Sequence, residues 1–198
     1  MELNQSSQDS VHAYFKKYIK NTSESSLYGL VVNGAIYHNS SFEDYGFTDW
    51  QRILDVNLNG AFHLSKAALP LLKKYAEDNP GEYPRIIFIS SVSAYMGEMY
   101  ASAYSVSKAA LIALAKSLAL ELAKYRINVN CICPGWVRTD MALAQMPNED
   151  SIKDNLGAVL QNRWLESSEI AAGIEYLLSD TAKGITGQQL NITAGIDL

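Results

Sequence analysis

A tyrosine and a lysine stand four residues apart at the end of the stretch 85–108, RIIFISSVSAYMGEMYASAYSVSK. An i, i+4 spacing puts two side chains on the same face of a helix, so we expect the Lys108 ammonium to lie near the Tyr104 phenol and to favour its ionised form. A free phenol has a pKa of about 10, and a lower pKa would make it a proton donor or acceptor nearer neutrality. The spacing therefore predicts an acid/base group at Tyr104.

Two serines, Ser90 and Ser91, close the apolar run Arg85–Ile89. A branched apolar run of this length suits a parallel strand that is covered on both faces. Open α/β sheets bind ligands at the carboxyl ends of their strands. Ser91 is therefore placed to hydrogen-bond the same carbonyl or hydroxyl oxygen that Tyr104 would protonate or deprotonate.

Apolar runs and helical periods alternate along the chain and predict the elements that position these residues. Leucines at helical spacing mark one helix from about Ala101: Leu111, Leu114, Leu118 and Leu122. Three further helices are predicted around residues 11–19, 48–75 and 170–178, and three further strands at residues 27–32, 126–132 and 188–192. Thr48, and Ser167 or Ser168, are the expected helix N-caps. We expect four mostly parallel strands in chain order, with helices on both faces.

Length and composition favour one globular domain spanning residues 1–198. A chain of 198 residues, 48% of them hydrophobic, can bury a substantial core. The net charge of −5 and the scattered lysines give no basic stripe for nucleic acid. The polar start and the lack of a run of 18 apolar residues predict a cytoplasmic chain without a membrane partner.

The cysteines and histidines suggest no metal or redox chemistry. Cys131 and Cys133 lie two residues apart, so in a strand they project to the same face. Buried thiols are the preferred interpretation over a redox pair, because the C-x-x-C spacing is absent. The three histidines have neither mutual spacing nor carboxylate companions, and we predict no metal site.

The order of these motifs closely resembles the short-chain dehydrogenase/reductase family, in particular its 3-oxoacyl-reductase-like members. Ser91 lies thirteen residues before Tyr104, and Pro134 and Gly135 follow the next predicted strand. The resemblance extends from about residue 9 to residue 195. It implies a Rossmann-like, doubly wound, mostly parallel α/β sheet. It also implies hydride transfer between a nicotinamide cofactor, NAD or NADP, and a small-molecule ketone or secondary alcohol, and assembly as a homodimer or homotetramer.

The resemblance assigns roles to four catalytic residues. Tyr104 is the acid/base, Lys108 tunes its pKa and contacts the cofactor ribose, and Ser91 donates a hydrogen bond to the substrate oxygen. Asn57, in DVNLNG, matches the family's catalytic asparagine, which holds a water that links to the lysine. Asn57, Asn59 and Gly60 are weak helix formers, so the helix is expected to be distorted there. An exposed helical asparagine is the alternative for Asn57.

Two loops after strands resemble the family's cofactor-contacting segments. Asn33-Gly34-Ala35 resembles the turn on the adenosine side, and Pro134-Gly135 resembles backbone that lines a flat ring. Ordinary strand-ending turns are the alternative for both. The cofactor-binding residues implied by the resemblance are Asn33, Gly34, Ala35, Tyr104, Lys108, Pro134, Gly135, Val137 and Thr139. Residues 141–164 fall where the family has its variable substrate loop, and we expect a lid there rather than core.

No two of the 12 glycines form a Gly-x-Gly, so the Gly-rich phosphate loop of doubly wound folds has no counterpart in the sequence. The sequence resembles a family member without its first βαβα portion, through truncation, an alternative start or an incomplete gene model. The residue that chooses between NAD and NADP would be lost with that portion. We expect the 198-residue chain alone to bind a nicotinamide dinucleotide poorly or not at all. The alternative function is a non-catalytic remnant that acts as an assembly partner through the helix at residues 109–122.

Overall fold

A parallel four-stranded sheet forms the centre of the computed structural model, which describes residues 3–22, 25–146 and 148–196. The strands, in sheet order as in chain order, are β1 (Gly29–Val32), β2 (Arg85–Ile89), β3 (Asn128–Pro134) and β4 (Gln189–Ile192). Every neighbouring pair is parallel. The predicted fold class and strand order are confirmed, and the carboxyl ends of all four strands meet at one edge of the sheet.

Eight helices in the described residues connect the strands. They are α1 (Gln8–Thr22), α2 (Phe47–Leu54), α3 (Gly60–Asp78), α4 (Ser93–Met96), α5 (Ser102–Leu122), α6 (Asp140–Leu143), α7 (Glu149–Gly157) and α8 (Ser167–Leu178). Between α2 and α3 the chain forms a π-helical segment, Asp55–Asn59. The expected distortion at the weak helix formers is therefore confirmed, and it is a widened turn that leaves the helix continuous in direction.

The sheet buries a hydrophobic cluster on each face because successive strand side chains point to opposite sides. Ile86 and Phe88 pack with residues of α3 and α5, and Val11 brings α1 onto the same cluster. Ile87 and Ile89 pack on the other face with α8. Helices therefore cover both faces of the sheet, as the apolar run of β2 predicts.

Both predicted helix caps are wrong by one or two residues. Helix α2 begins at Phe47 with Gly46 as its N-cap, so Thr48 lies inside the first turn. Helix α8 has Glu166 as its N-cap, and the Glu166 N–H donates to the Glu169 carboxylate at 2.8 Å. The Glu169 carboxylate in the first turn of α8 thus accepts a hydrogen bond from a backbone N–H at the helix start, where a serine hydroxyl was expected to act as the cap.

The two cysteines are buried free thiols, as expected. Burial raises the pKa of Cys131 to about 12, which keeps that thiol protonated and unreactive. Across residues 3–22, 25–146 and 148–196, no helix combines the length and apolar character needed to cross a membrane. The same ranges contain no group of three or more His, Cys, Asp or Glu side chains that could hold a metal ion.

Candidate active site

A cavity of about 670 Å³ opens at the carboxyl ends of β1, β2 and β3. Parallel strands and the loops after them bring distant parts of the chain together at this edge. Of the residues predicted from the sequence, those lining the cavity are Asn33, Gly34, Ala35, Ser91, Tyr104, Lys108, Pro134, Gly135, Val137 and Thr139. Asn57 is the predicted residue that lies behind the cavity wall.

Tyr104 and Lys108 share one face of α5, as their spacing predicts. The Lys108 Nζ lies 5.5 Å from the centre of the Tyr104 ring. Lys108 is almost fully buried and its Nζ donates to the Ile89 carbonyl at 2.7 Å, at the last residue of β2. The Ser90 hydroxyl donates to the Lys108 carbonyl at 2.8 Å and fixes this turn of the helix against the end of the strand.

The pKa values of this pair differ from the expectation. Burial raises the pKa of Tyr104 to about 12, a hydrogen bond from Ser91 opposes the rise, and the Glu98 charge adds to it. Burial lowers the pKa of Lys108 to about 8, and the nearby Cys133 and Cys131 thiols oppose that fall. The expected lowering of the Tyr104 pKa is therefore wrong for the chain by itself, because burial of the phenol is the largest influence on its pKa.

Ser91 stands at the start of a hydrogen-bonded series on the cavity wall. Ser91 and Tyr104 both line the cavity, the Ser91 hydroxyl acts to lower the Tyr104 pKa, and the Ser91 Oγ lies 3.1 Å from the Ser93 Oγ. The Ser93 hydroxyl donates to the Glu98 carboxylate at 2.6 Å, and the Tyr37 hydroxyl donates to the same carboxylate at 2.8 Å. The series places two hydroxyls, those of Ser91 and Tyr104, where one substrate oxygen can meet both.

Asn57 is buried within the π-helical segment and is not the exposed asparagine of the alternative interpretation. Its amide accepts from the Ile36 N–H at 2.8 Å and donates to the Ile36 carbonyl at 3.0 Å. It also donates to the Ser107 hydroxyl at 3.1 Å, and Ser107 in turn donates to the Tyr104 carbonyl at 2.7 Å. The side chain thus joins the loop after β1 to the helix that carries Tyr104 and Lys108.

Two glycines allow close approach at the cavity edge. A Cβ on Gly135 would lie 2.9 Å from the Thr193 carbonyl oxygen, so any side chain there would push the loop after β3 away from the end of β4. A Cβ on Gly34 would meet the Gln5 side chain, whose amide donates to the Gly34 carbonyl at 2.9 Å. Gln5 therefore covers one side of the turn that was expected to face a cofactor.

The loop after β3 is held in place on its outer side. Val137 forms a β-bridge with Leu165. The Thr139 hydroxyl accepts from the Ala142 N–H at 3.3 Å and so caps α6. Thr139 therefore has a structural hydrogen bond in addition to its predicted role in cofactor binding.

The segment expected to be a lid is partly core. Met141, Ala142 and Gln145 line the cavity, which agrees with a covering role. Met146 and Leu156 are buried, however, because α6 and α7 fold back onto the molecule. The expectation of a lid in place of core is therefore wrong for the buried part of this segment.

Sequence reasoning missed Tyr37, Ser93 and Glu98, which form the polar wall of the cavity. Tyr37 contacts Tyr104 edge to face, with ring centres 5.1 Å apart. Glu98 carries the one signal that could have been noticed, because it is the only acidic residue between Arg85 and Glu121. Among the described residues that line the cavity, Lys108 is the one cationic side chain and Glu98 the one acidic side chain.

Comparison with known proteins gives consistent matches. A family model described as enoyl-(acyl carrier protein) reductase matches residues 1–197. The chain is 31% identical over 170 residues to the 3-oxoacyl-(acyl-carrier-protein) reductase FabG of Aggregatibacter actinomycetemcomitans, covering 85% of this chain and 66% of that protein. It is 34% identical over 167 residues to the acetoacetyl-CoA reductase of Acinetobacter sp. (strain RA3849), covering 84% of this chain and 64% of that protein. The chain thus spans slightly less than two thirds of the length of these relatives.

A solved structure agrees with the sequence matches. The crystal structure of a short-chain dehydrogenase/reductase, SDR:Glucose/ribitol dehydrogenase, from Brucella melitensis superposes with a TM-score of 0.85 and 27% sequence identity. The superposition covers 100% of this chain and 75% of that chain. The likeness therefore extends over every strand and helix described above.

Proposed function

The chain belongs to the short-chain dehydrogenase/reductase family, and from this premise we propose that it is an oxidoreductase. It interconverts a ketone and a secondary alcohol by hydride transfer to or from NAD or NADP. The observation that carries the proposal is that Ser91 and Tyr104, two hydroxyl side chains close enough for Ser91 to affect the Tyr104 pKa, both line the cavity at the carboxyl edge of the sheet. Two donors that converge on one point can bind and polarise a carbonyl oxygen.

Tyr104 is the proposed acid/base. Because its pKa is raised to about 12, the phenol is protonated at neutral pH. A protonated phenol can give its proton to the substrate oxygen as the carbonyl carbon is reduced, since an alkoxide is a stronger base than a phenolate. In alcohol oxidation the proton moves the other way, to a Tyr104 phenolate. The Ser91 hydroxyl holds the substrate oxygen in both directions.

Lys108 and Asn57 are proposed to support this proton transfer. The buried Lys108 Nζ is fixed by the Ile89 carbonyl on the side of the cavity. Its positive charge stabilises the phenolate that Tyr104 becomes after it has given up its proton, and its remaining N–H bonds are available to a ribose. Asn57, through Ser107 and Ile36, holds the helix turn that positions both residues, and the family's water-holding role remains a proposal.

The residues around the cavity fit the nicotinamide end of a dinucleotide. Gly135 has no room for a side chain beside Thr193, so the loop after β3 lies close against the end of β4, and its backbone lines the cavity where a ring could bind. Pro134, Val137, Thr139 and the turn Asn33-Gly34-Ala35 also line the cavity. When bound there, the nicotinamide would supply or accept the hydride. Lys108 is the one cation among the described lining residues, so the fit supports the ring and ribose more than the phosphates.

The outer faces of α3 and α5 support the proposal of a homodimer or homotetramer. Val106, Ala113 and Leu120 recur every seven residues along α5, and all three are exposed. Phe62 on α3 is also half exposed. An apolar surface of this kind is typical of an interface with another chain. A non-catalytic assembly partner would use the same surface, and turnover distinguishes the two functions.

The test is oxidation of NADH and of NADPH by the 198-residue chain against a panel of neutral ketones and 3-oxoacyl thioesters. We expect turnover with at least one ketone. Ser91→Ala should lose roughly 10²-fold or more, because an oxyanion donor is removed, whereas Ser117→Ala, on the exposed side of α5, should match the parent. Turnover that is equal in the parent and in Ser91→Ala, or absent with every ketone and both cofactors, would refute the proposal.

A further inference from the structure

The Glu98 carboxylate lies on the cavity wall at a position that the proton-transfer chemistry does not use. Its Oε1 accepts from Tyr37 and its Oε2 accepts from Ser93. A carboxylate can accept about four hydrogen bonds, so each oxygen keeps capacity for a further donor. Glu98 is only partly buried and lines the cavity. The unused capacity therefore faces the space where a substrate binds.

The backbone around Glu98 fixes the position of this carboxylate. Gly97, with a φ of 75°, ends α4 and turns the chain back toward Ser93. Tyr100 has a φ of 65°, which is unusual for a bulky residue, and its carbonyl accepts from the Ser40 N–H at 2.8 Å. Strained backbone of this kind persists only where its surroundings hold it. The backbone around Glu98 therefore holds its carboxylate in a defined position on the cavity wall.

The Glu98 charge acts on the reaction centre. Tyr37, which donates to Glu98, contacts the Tyr104 ring edge to face at 5.1 Å. Glu98 contributes to the raised pKa of Tyr104 and, after burial, is the main cause of the raised pKa of Tyr37. Because Lys108 is turned toward Ile89, the part of the cavity wall around Glu98 carries a negative field.

We propose that Glu98 is a specificity-determining residue, which binds a hydroxyl or ammonium group on the substrate beside the reacting carbonyl and disfavours a carboxylate there. Glu98 would accept a charge-assisted hydrogen bond from such a donor, which is stronger than a neutral one. A carboxylate at the same position would face a like charge and would leave Glu98 without a partner. This inference rests on the proposed function, since the reacting carbonyl is the one held by Ser91 and Tyr104.

The test compares four methyl ketones, CH3–CO–CH2–X, that differ only in X: butanone, hydroxyacetone, aminoacetone and acetoacetate, the last of which is larger than the others by two heavy atoms. The kcat/KM of each is measured with the parent chain and with Glu98→Gln. In the parent, hydroxyacetone and aminoacetone should exceed butanone, and acetoacetate should fall below it. Glu98→Gln should reduce the ratio of aminoacetone to acetoacetate by roughly 10- to 100-fold, as expected for loss of a hydrogen bond to a charged group. The kcat/KM values for hydroxyacetone and aminoacetone show whether the site prefers a hydroxyl or an ammonium donor.

Two further variants separate charge from structure. Tyr37→Phe keeps the carboxylate and should keep the discrimination against acetoacetate, because only one hydrogen bond is lost. Glu77→Gln removes an exposed charge near the end of α3 and should leave all four ratios as in the parent. Ratios that are the same in the parent and in Glu98→Gln would overturn the inference while leaving the proposed function standing. No turnover of any of the four ketones would count against both.

Discussion

The Lys108 ammonium is buried with a backbone carbonyl, that of Ile89, as its hydrogen-bond acceptor. A carbonyl offsets only part of the cost of taking a positive charge out of water. The lowered pKa of Lys108, about 8, reflects this cost. Such a residue lowers the stability of the fold and is retained where its charge has a use, which under the proposed function is the support of the Tyr104 phenolate.

This cost predicts a pH-dependent stability difference between the parent and Lys108→Met. The Lys108 pKa is about 8 in the folded chain and 10.5 when unperturbed. Between these values the unfolded chain binds more protons than the folded chain, so the parent's free energy of unfolding rises with pH relative to the variant's. The change should be on the order of 3 kcal/mol across that window. Below pH 8 the parent bears the full cost of burying the Lys108 ammonium. The free energy of unfolding of Lys108→Met, taken relative to that of the parent, should therefore be highest there.

Urea unfolding at several pH values measures this difference. Lys116→Met, at an exposed position of the same helix, is the control and should track the parent at every pH. A difference between Lys108→Met and the parent that stays constant from pH 8 to pH 10.5 would show that Lys108 is not held as a charged, desolvated group.

At the scale of single residues, the sequence predicts proximity better than it predicts chemistry. The spacing of Tyr104 and Lys108 correctly places them on one face of a helix. The direction of the Tyr104 pKa could not be read from that spacing, because it depends on how deeply α5 lies against the sheet. Glu98 was missed for a related reason, since its approach to Ser93 depends on the turn at Gly97.

Among the elements, the π-helical segment Asp55–Asn59 has the most specific consequence for the site. A widened turn sends the Asn57 side chain inward, toward the loop after β1 and toward α5. Regular α-helix would carry a different residue to this position. The weak helix formers in the sequence predict the distortion, but the partners of Asn57 become visible only in the fold.

Asn57→Ala should destabilise the fold strongly for this reason. The change leaves the Ile36 N–H and carbonyl and the Ser107 hydroxyl without the amide that binds them, at a cost of roughly 2–4 kcal/mol. Asn59→Ala is the matched control two residues away, because the Asn59 side chain is exposed and its amide donates to the Asp55 carboxylate on the same helix. That control should stay within about 0.5 kcal/mol of the parent. Chemical denaturation of the three proteins gives the comparison, and equal midpoints for both variants would contradict a structural role for the Asn57 amide.

The strands follow from the sequence more surely than the helix ends do. The run Arg85–Ile89 is apolar at every position, which is typical of a parallel strand with both faces covered, and all five residues are buried. Helix starts depend on local alternatives: Gly46 and Glu166 take the cap positions that hydroxyl side chains were expected to fill. A shift of one or two residues in a cap changes little in the free energy of folding, so the sequence carries only a weak signal for it.

For the molecule as a whole, the exposed apolar face of α5 predicts self-association. Leu120 is 84% exposed, and Val106 on the same face is 46% exposed. Sedimentation equilibrium at micromolar concentration should give a mass at least twice the chain mass of 21.8 kDa. Leu120→Lys should shift the equilibrium toward the monomer, whereas Leu160→Lys, at a 71% exposed position on another surface, should not. A parent that sediments at 21.8 kDa would rule out the homo-oligomer.

The charge distribution of the cavity predicts how the chain would bind the proposed nicotinamide cofactor. Since Lys108 is the one cation among the described lining residues, the adenylate half of a dinucleotide gains little from this wall. Calorimetric titration should therefore give similar affinities for NADH and for reduced nicotinamide mononucleotide, within about tenfold, or ~1.4 kcal/mol. NADH binding that is tighter by roughly two orders of magnitude would mean that another part of the chain binds the phosphates.

The central claim, that Tyr104 and Ser91 reduce a carbonyl by proton donation coupled to hydride transfer, is tested by isotope transfer. The 198-residue chain is incubated with a ketone that it reduces and with NADH or NADPH that carries deuterium at both hydrogen positions of nicotinamide C4, and the alcohol is analysed by mass spectrometry. The account predicts deuterium on the carbinol carbon and a Tyr104→Phe variant that folds normally but transfers the label about 10²- to 10⁴-fold more slowly. Tyr176→Phe, at an exposed position of α8, should transfer it at the parent's rate. Label transfer at equal rates by the parent and Tyr104→Phe, or no label in the alcohol, would contradict the account.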